Sequence, residues 1–469
     1  MSTMIDTQGA ALDIAELRTA FRGALLRPGE EGYDEARRIW NGAIDRRPAL
    51  IARCAGADDV VEAIAFARER DLPVSVRGGG HAVAGHAVCD DGVMIDLSLM
   101  KAVRIDPDAR TARAAGGALW ADLDRASTRA GLATTGGLIS HTGVGGLTLG
   151  GGLGHLMRKH GLTVDNVLAV DLVTADGERL RVDAESEPEL FWGLRGGGGN
   201  FGIATALEYR LHPIAPLILG GPIFWPLADA PAVLRFLRDF IPEAPDELGI
   251  TLTMTLAPPL PFVPTDQFGK PVIGVVVVWS GDLAEGERAI APLRRIGTPL
   301  ADVVRPAPYV GLQSMLDGGA PHGMHYYWKS HRLGGLSDDV IEALLARAEL
   351  LVPGAQIQGW AMGGAVSRVD PAATAVGQRE VGLDVSFVGA WPPSIDGEAH
   401  KAWSRASWDA LLPHSNGVYA NFISDEGAAG VTAAYGDRVA RLTALKDRYD
   451  ATNVFRMNAN IVPSTGGAR

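Results

Sequence analysis

An α+β fold in two packed parts is what this 469-residue sequence predicts, and three observations carry it. Residues 46–215 interleave short apolar runs of strand length with amphipathic runs of helical period. Residues 216–410 change texture. There β-branched runs such as PVIGVVVVWSG and EVGLDVSFVGAW alternate with helical stretches such as DDVIEALLARAELL, the pattern of an antiparallel sheet covered by helices on one face. The length exceeds one ordinary domain, and with 47% hydrophobic and 21% charged residues the chain can fill more than one core.

Residues 1–45 read as an N-terminal helical segment, because AELRTAFRGALL and YDEARRIWNGAI both carry a helical period. ALIARC (49–54) is a short apolar strand, and ADDVVEAIAFARERDL is a capped amphipathic helix with an Asp-rich start. PVSVR, VMIDL (93–97) and the stretch 103–117 supply further strands, and ALWADLDRASTRAGL a second helix. VLAVDLVTADGERLRVD is a hairpin whose Asp176-Gly177 pair predicts a type I′ turn. PELFWGLRG is a short helix, and GIATALEYRLHPI a returning strand. After the sheet-rich middle, residues 411–469 hold GVYANF, the helix VARLTALKDRY and the segment NVFRMNANIVP.

Composition excludes several classes of function. The net charge of -12 repels phosphate backbones, so nucleic acid is not an expected partner. The N-terminus lacks a basic start followed by an apolar run, and no stretch approaches 18 uninterrupted apolar residues; a cytoplasmic protein without a membrane partner is the expectation. Cys54 and Cys89 make no disulfide framework and sit in no metal-ligand spacing, so no metal is expected.

The 59 glycines cluster, and four constellations follow. Arg77-Gly78-Gly79-Gly80-His81 comes directly after a strand; its amides can approach a ligand as a nest suited to pyrophosphate, although the pentapeptide alone also fits a plain glycine turn. Residues 143–154, GVGGLTLGGGLG, hold seven glycines in twelve positions and can wrap a flat cofactor. The spacing Gly143-x-Gly145-x-x-Thr148 breaks the Rossmann fingerprint, and no Walker A pattern is present. Arg195-Gly-Gly-Gly-Gly-Asn-Phe-Gly202 is the third loop. The fourth is Tyr419-Ala420-Asn421, where a spacing of two on a strand puts both side chains on one face, and a tyrosine can serve as a base if donors lower its pKa from about 10. Asn458 and Asn460 repeat that spacing.

In this order the motifs RGGGHAVAGH, GVGGLTLGGGLG, ELFWGLRGGGGNFG, YANF and FRMNANI resemble the FAD-linked oxidoreductases of the vanillyl-alcohol oxidase / p-cresol methylhydroxylase (PCMH) superfamily, in the berberine-bridge-enzyme-like branch, over about residues 35–465. The resemblance implies a PCMH-type FAD-binding domain at 46–215, a substrate domain at 216–410, and a C-terminal segment, 411–469, that returns to the FAD domain. It implies that His81 is bonded to the 8α carbon of the flavin. The cysteine that forms a second tether in many relatives is replaced by Ile139, so a single covalent link is expected. Cofactor contacts are implied for Arg77, Gly78, Gly79, Gly80, Gly85, His86, Gly136, His141, Thr142, Gly143, Gly145, Gly146, Gly150, Gly151, Gly152, Gly154, Gly202, Ile203, Asn458 and Asn460. Tyr419 is the implied base with Asn421 beside it, and the small Thr142 stands where bulky residues hinder oxygen.

The implied activity is hydride transfer from a small organic substrate to FAD and then to O2. An oxidative cyclase or dehydrogenase is the related alternative, and a non-catalytic flavin protein the alternative of another class. Tyr326, Tyr327, Trp328, Trp360 and Trp391 are candidate pocket aromatics, and His325 and His331 candidate second bases. Alcohol, sugar, amine and phenolic substrates all stay open, as does the oligomeric state.

Overall fold

The structure, a computed structural model, describes residues 12–466. The first sheet holds β1 (Ala24–Leu26), β2 (Leu50–Arg53), β3 (Val74–Arg77) and β4 (Val93–Asp96) in the order β1-β2-β4-β3. β2 and β3 pair in parallel with β4, while β1 runs antiparallel to β2. The helix Ala57–Glu69 crosses between β2 and β3, burying Val60, Ala63, Ile64 and Ala67 at helical spacing. Its acidic start does not cap it. Asp59 instead accepts from the backbone N–H groups of Arg22, Gly23 and Ala55, and so ties β1 to this layer.

The second sheet follows in β5 (Val103–Asp106), β6 (Thr111–Ala115), the two-residue β7 (Leu132–Ala133), β8 (Val167–Val173), β9 (Arg179–Asp183), β10 (Ile203–Arg210) and β11 (His212–Pro213). Five of these form an antiparallel sheet in the order β5-β6-β10-β8-β9, and β7 pairs with β11. The helix Trp120–Thr128 and its neighbours pack Trp120, Leu123, Phe201 and Tyr209 into its core.

The third sheet is the largest: β12 (Ile218–Pro226), β13 (Leu248–Leu256), β14 (Pro271–Trp279), β15 (Ala301–Asp302), β16 (Arg305–Ala307), β17 (His325–Leu333), β18 (Ala355–Met362), β19 (Gly382–Trp391) and β20 (Ser415–Gly417). Helices Ala230–Glu243, Leu283–Arg294, Asp338–Ala348 and Glu398–Leu411 cover one face, over Leu252, Val277, Ile357 and Phe387. Side chains alternate along a strand, so Trp328 and Trp360 lie on the opposite face, turned towards the glycine loops. The last helix, Val439–Tyr449, returns to the second sheet, where the fully buried Lys446 donates to the carbonyls of Asn200 and Phe455 and to Asp450.

Four local expectations differ. The N-terminal stretch contains only the short helices Ala15–Ala20 and Tyr33–Ala36, separated by a strand; residues 1–11 lie outside the described part. Its later half is held by Trp40 and Asn41 instead of by helix packing: Trp40 N–H donates to Gly80, and Asn41 Nδ2 donates to the carbonyls of Val83 and Tyr326. The β8–β9 connection is one residue longer than a type I′ turn, since only Gly177 has positive φ (81°) and Gly177 N–H donates to Thr174. Part of the second glycine loop is a helix, Val144–Leu149. Finally, Tyr419 and Asn421 are not on a strand: β20 ends at Gly417 and residues Ala420–Phe422 form a 3-10 turn.

Candidate active site

A cavity of about 320 Å³ runs between the glycine loops and the open face of the third sheet. Glycines from the three loops make up a large share of its cofactor-side wall. The first and second glycine loops touch directly, for a Cβ on Gly79 would stand 2.3 Å from the Gly143 nitrogen, and one on Gly143 equally close to that of Gly79. No other residue fits either position. Gly146 and Gly199 are the opposite case: both line the cavity, and a Cβ on either would meet nothing within 4 Å.

His81 forms the side wall. Its ring stacks on the fully buried Trp40 at 4.2 Å between centroids and 13° between planes, and Trp40 stacks in turn on Tyr326 at 3.8 Å. Burial, then the nearby His141 and His322, push its pKa down to about 3, so the imidazole is neutral at physiological pH. Its Nε2 is buried and has no hydrogen-bond partner. Ile139 and Thr142 also line the cavity.

Tyr419 and Asn421 close the far end. Although they share no strand, the 3-10 turn brings them together, with Asn421 Nδ2 donating to Tyr419 Oη at 2.8 Å and to the Leu147 carbonyl at 3.0 Å. Gly152 N–H donates to the same Oη at 2.7 Å. The triple glycine 150–152 is shaped for this pair: a Cβ on Gly150 would stand 2.1 Å from Asn421 Oδ1, and one on Gly151 3.0 Å from the Tyr419 ring. Two donors thus favour the phenolate, but burial outweighs them and pushes Tyr419 up to about 12.

Of the residues with implied cofactor contacts, Gly78, Gly79, Gly80, His81, His86, Thr142, Gly143, Gly145, Gly146, Gly150, Gly202, Ile203 and Asn458 line the cavity. Arg77, Gly85, Gly136, His141, Gly151, Gly152, Gly154 and Asn460 stand behind it. Arg77 donates to the Ala36 carbonyl, Gly85 packs on Ile44, Gly136 on Trp120, Gly152 on Thr163, and Gly154 on the Gly136 carbonyl. Trp328 and Trp360 reach the cavity. Tyr326 backs Trp40, Tyr327 is bonded to Asp425, and Trp391 packs on His400. The candidate second bases stay away from it: His325 meets the edge of Trp391, and His331 is held by Ser415 and the Trp408 carbonyl. Trp40 and Tyr435 are site residues that sequence reasoning missed, because no glycine motif or fixed spacing marks them, and Phe422, though it ends the YANF motif, is given no role there.

These residues fit a flavin dinucleotide. His81 Nε2, Asn458 Oδ1, Asn460 Oδ1 and Tyr435 Oη are buried polar atoms without partners, and all but Asn460 belong to residues lining one elongated, glycine-walled cavity. Family models bear on the same residues: "FAD binding domain" matches 48–183 and "Berberine and berberine like" matches 418–462. A FAD-linked oxidoreductase of Dictyostelium discoideum is 31% identical over 461 residues, covering 97% of this chain and 98% of the relative. The chain belongs to the berberine-like FAD-linked oxidoreductases. Other members of the family are close in sequence and shape. The (R)-6-hydroxynicotine oxidase of Paenarthrobacter nicotinovorans is 32% identical, over 95% of this chain and 97% of its own. The crystal structure of 6-hydroxy-D-nicotine oxidase from Arthrobacter nicotinovorans superposes with a TM-score of 0.85 at 30% identity, covering 94% of this chain and 98% of that one. This FAD-linked oxidoreductase has no helix, among the described residues, long and apolar enough to cross a membrane.

Proposed function

We propose that the enzyme is an oxidase that carries FAD on His81 through one covalent bond, takes hydride from a small organic substrate and passes the electrons to O2. Bound FAD supplies the two-electron acceptor, which no side chain can replace. The observation that carries the reading is the His81 imidazole: neutral, clamped against Trp40, and lacking a partner at Nε2 beside the cavity. Ile139 offers no second nucleophile, and Cys54 and Cys89 are buried away from the cavity with burial pushing both thiols up.

In this reading residues 46–215 hold FAD, 216–410 cover the substrate, and 411–469 bring Tyr419 and Asn421 back to the cofactor. Tyr419 takes the substrate's proton, and Asn421 and Gly152 hold its oxygen as charge develops there. Thr142 leaves room for O2 beside the ring. That the 6-hydroxynicotine relative is an oxidase supports the acceptor assignment.

Mass spectrometry of the denatured protein tests the link, with one FAD expected on the peptide that contains His81. Stopped-flow mixing of the reduced enzyme with air tests the acceptor. Reoxidation faster than that of free reduced flavin is expected, and a rate at or below that of free flavin rejects the oxidase.

A further inference from the structure

The substrate end of the cavity is aromatic and apolar. Phe422 lies at its centre, 5.1 Å from Trp328 at 80°, 5.1 Å from Trp360 at 43°, and 4.8 Å from Tyr419 at 88°. Leu138 and Leu153 continue the same surface. Among the described residues, no Asp, Glu, Lys or Arg lines the cavity.

The nearby charges are all engaged elsewhere. Lys329, next to Trp328, is on the other face of β17 and bound to Asp425 and Glu426. Asp384, opposite Trp360 in the sheet, is locked to Arg332 at 2.9 Å. The polar groups are few: Asn421 Nδ2 is spent on Leu147 and Tyr419, which leaves the Tyr419 hydroxyl, the Asn421 Oδ1 acceptor, the indole N–H groups of Trp328 and Trp360, and Thr142 on the cofactor side.

We infer that the substrate is an uncharged planar aromatic molecule with a single hydroxyl on its donor carbon, and not an oligosaccharide. This rests on the oxidase reading above and narrows it. An oligosaccharide would bury several hydroxyls against rings that cannot bond them, and each unpaired hydroxyl costs binding. A charged substrate would lose its hydration without gaining a counter-ion. A flat ring can lie against the joint surface of Trp328, Trp360 and Phe422 in offset and edge contacts, and one hydroxyl meets Tyr419. The chemistry balances: the carbinol carbon gives up its hydrogen as hydride and its O–H as a proton, and leaves as a carbonyl. The two electrons and two protons end on O2 as hydrogen peroxide.

The test uses the FAD-loaded enzyme under anaerobic conditions. 2-Naphthylmethanol and xylobiose at equal concentration are compared by flavin bleaching. 2-Phenyl-2-propanol, which has no hydrogen on its carbinol carbon and cannot be oxidised there, is titrated by its perturbation of the flavin spectrum. We expect naphthylmethanol to bleach at least about tenfold faster than xylobiose. The tertiary alcohol should bind saturably, and Trp360→Leu should weaken it about tenfold. Faster bleaching by xylobiose overturns the inference. So does a tertiary alcohol that leaves the flavin spectrum unchanged in the wild-type enzyme, a result that does not depend on any variant folding. Bleaching by the aromatic alcohol without reoxidation in air would sink the oxidase reading alone and leave the substrate class standing.

Discussion

The two ends of the cavity are built from opposite materials. The cofactor side is rich in glycine backbone, where missing side chains let two loops touch and a ligand approach between residues such as Val76, Ile203 and Asn458. The substrate side is side chain, made by Trp328, Trp360, Phe422 and Tyr419 from three separate parts of the chain. Adding atoms should therefore damage the first, and removing them the second. His81 ties the halves together, a side chain beside the first glycine loop held by a tryptophan from the N-terminal segment.

The sharpest contrast concerns that residue. His81→Ala should lose all covalently held flavin, so that acid precipitation of the protein leaves the yellow colour in the supernatant. Retention of colour in the pellet would mean that another residue carries the bond.

At the side-chain end, removal of one oxygen should be nearly as severe. Tyr419→Phe deletes the proton acceptor and is expected to lower turnover about 10²–10⁴-fold at saturating substrate. The pH profile carries further information. With its pKa near 12, Tyr419 is protonated at neutral pH, and the reactive fraction grows as pH rises. Wild-type kcat/KM should climb about tenfold per unit between pH 7 and 9, and the Phe variant should be flat. An unchanged slope in the variant would move the base elsewhere.

At the backbone end, two additions that look alike on paper should part company. Gly146→Ala adds a Cβ that meets nothing within 4 Å, so the apoprotein should melt as before while its non-covalent uptake of FAD weakens by more than about tenfold. Gly143→Ala puts a single methyl 2.3 Å from the Gly79 nitrogen and should destabilise the apoprotein itself by about 1–3 kcal/mol, read by urea unfolding. Equal behaviour of the two would break the distinction between a cradle wall and a packing contact.

The same difference of material explains what was legible in the sequence. Glycine motifs are local: RGGGH, the 143–154 loop and the 195–202 loop each announce themselves in a few residues, and the strands and helices between them follow from hydrophobic period. The aromatic end is not local. Trp40 reaches His81 from a stretch that reads as helix, and Phe422 meets Trp328 and Trp360 only because β17 and β18 flank the same strand, β19. A spacing of two suggests a strand for Tyr419 and Asn421, whereas a 3-10 turn brings the pair together. The glycines behind the cavity, such as Gly136 and Gly154, look identical in sequence to those that line it. Only the third dimension separates close packing from open space.

The smallest effect expected lies outside both ends. Burial pushes His86 and His155 down to about 4 and His160 to about 3, whereas in the unfolded chain each titrates near 6.5. Between pH 6.5 and about 4 the unfolded state therefore binds more protons, and stability falls as pH falls. Asp124 works the other way. Burial raises it to about 7, so it stays protonated in the fold, and its contribution is present at low pH and lost as pH rises through 7. The histidines lowered by burial, His81 of the apoprotein among them, outnumber the raised carboxyls Asp124 and Asp384 and should leave a net loss, a melting temperature lower by roughly 5 °C at pH 4.5 than at pH 7. Asp124→Asn removes one opposing contribution and should steepen the decline. A shallower decline in that variant would mean that the histidines are not what titrates.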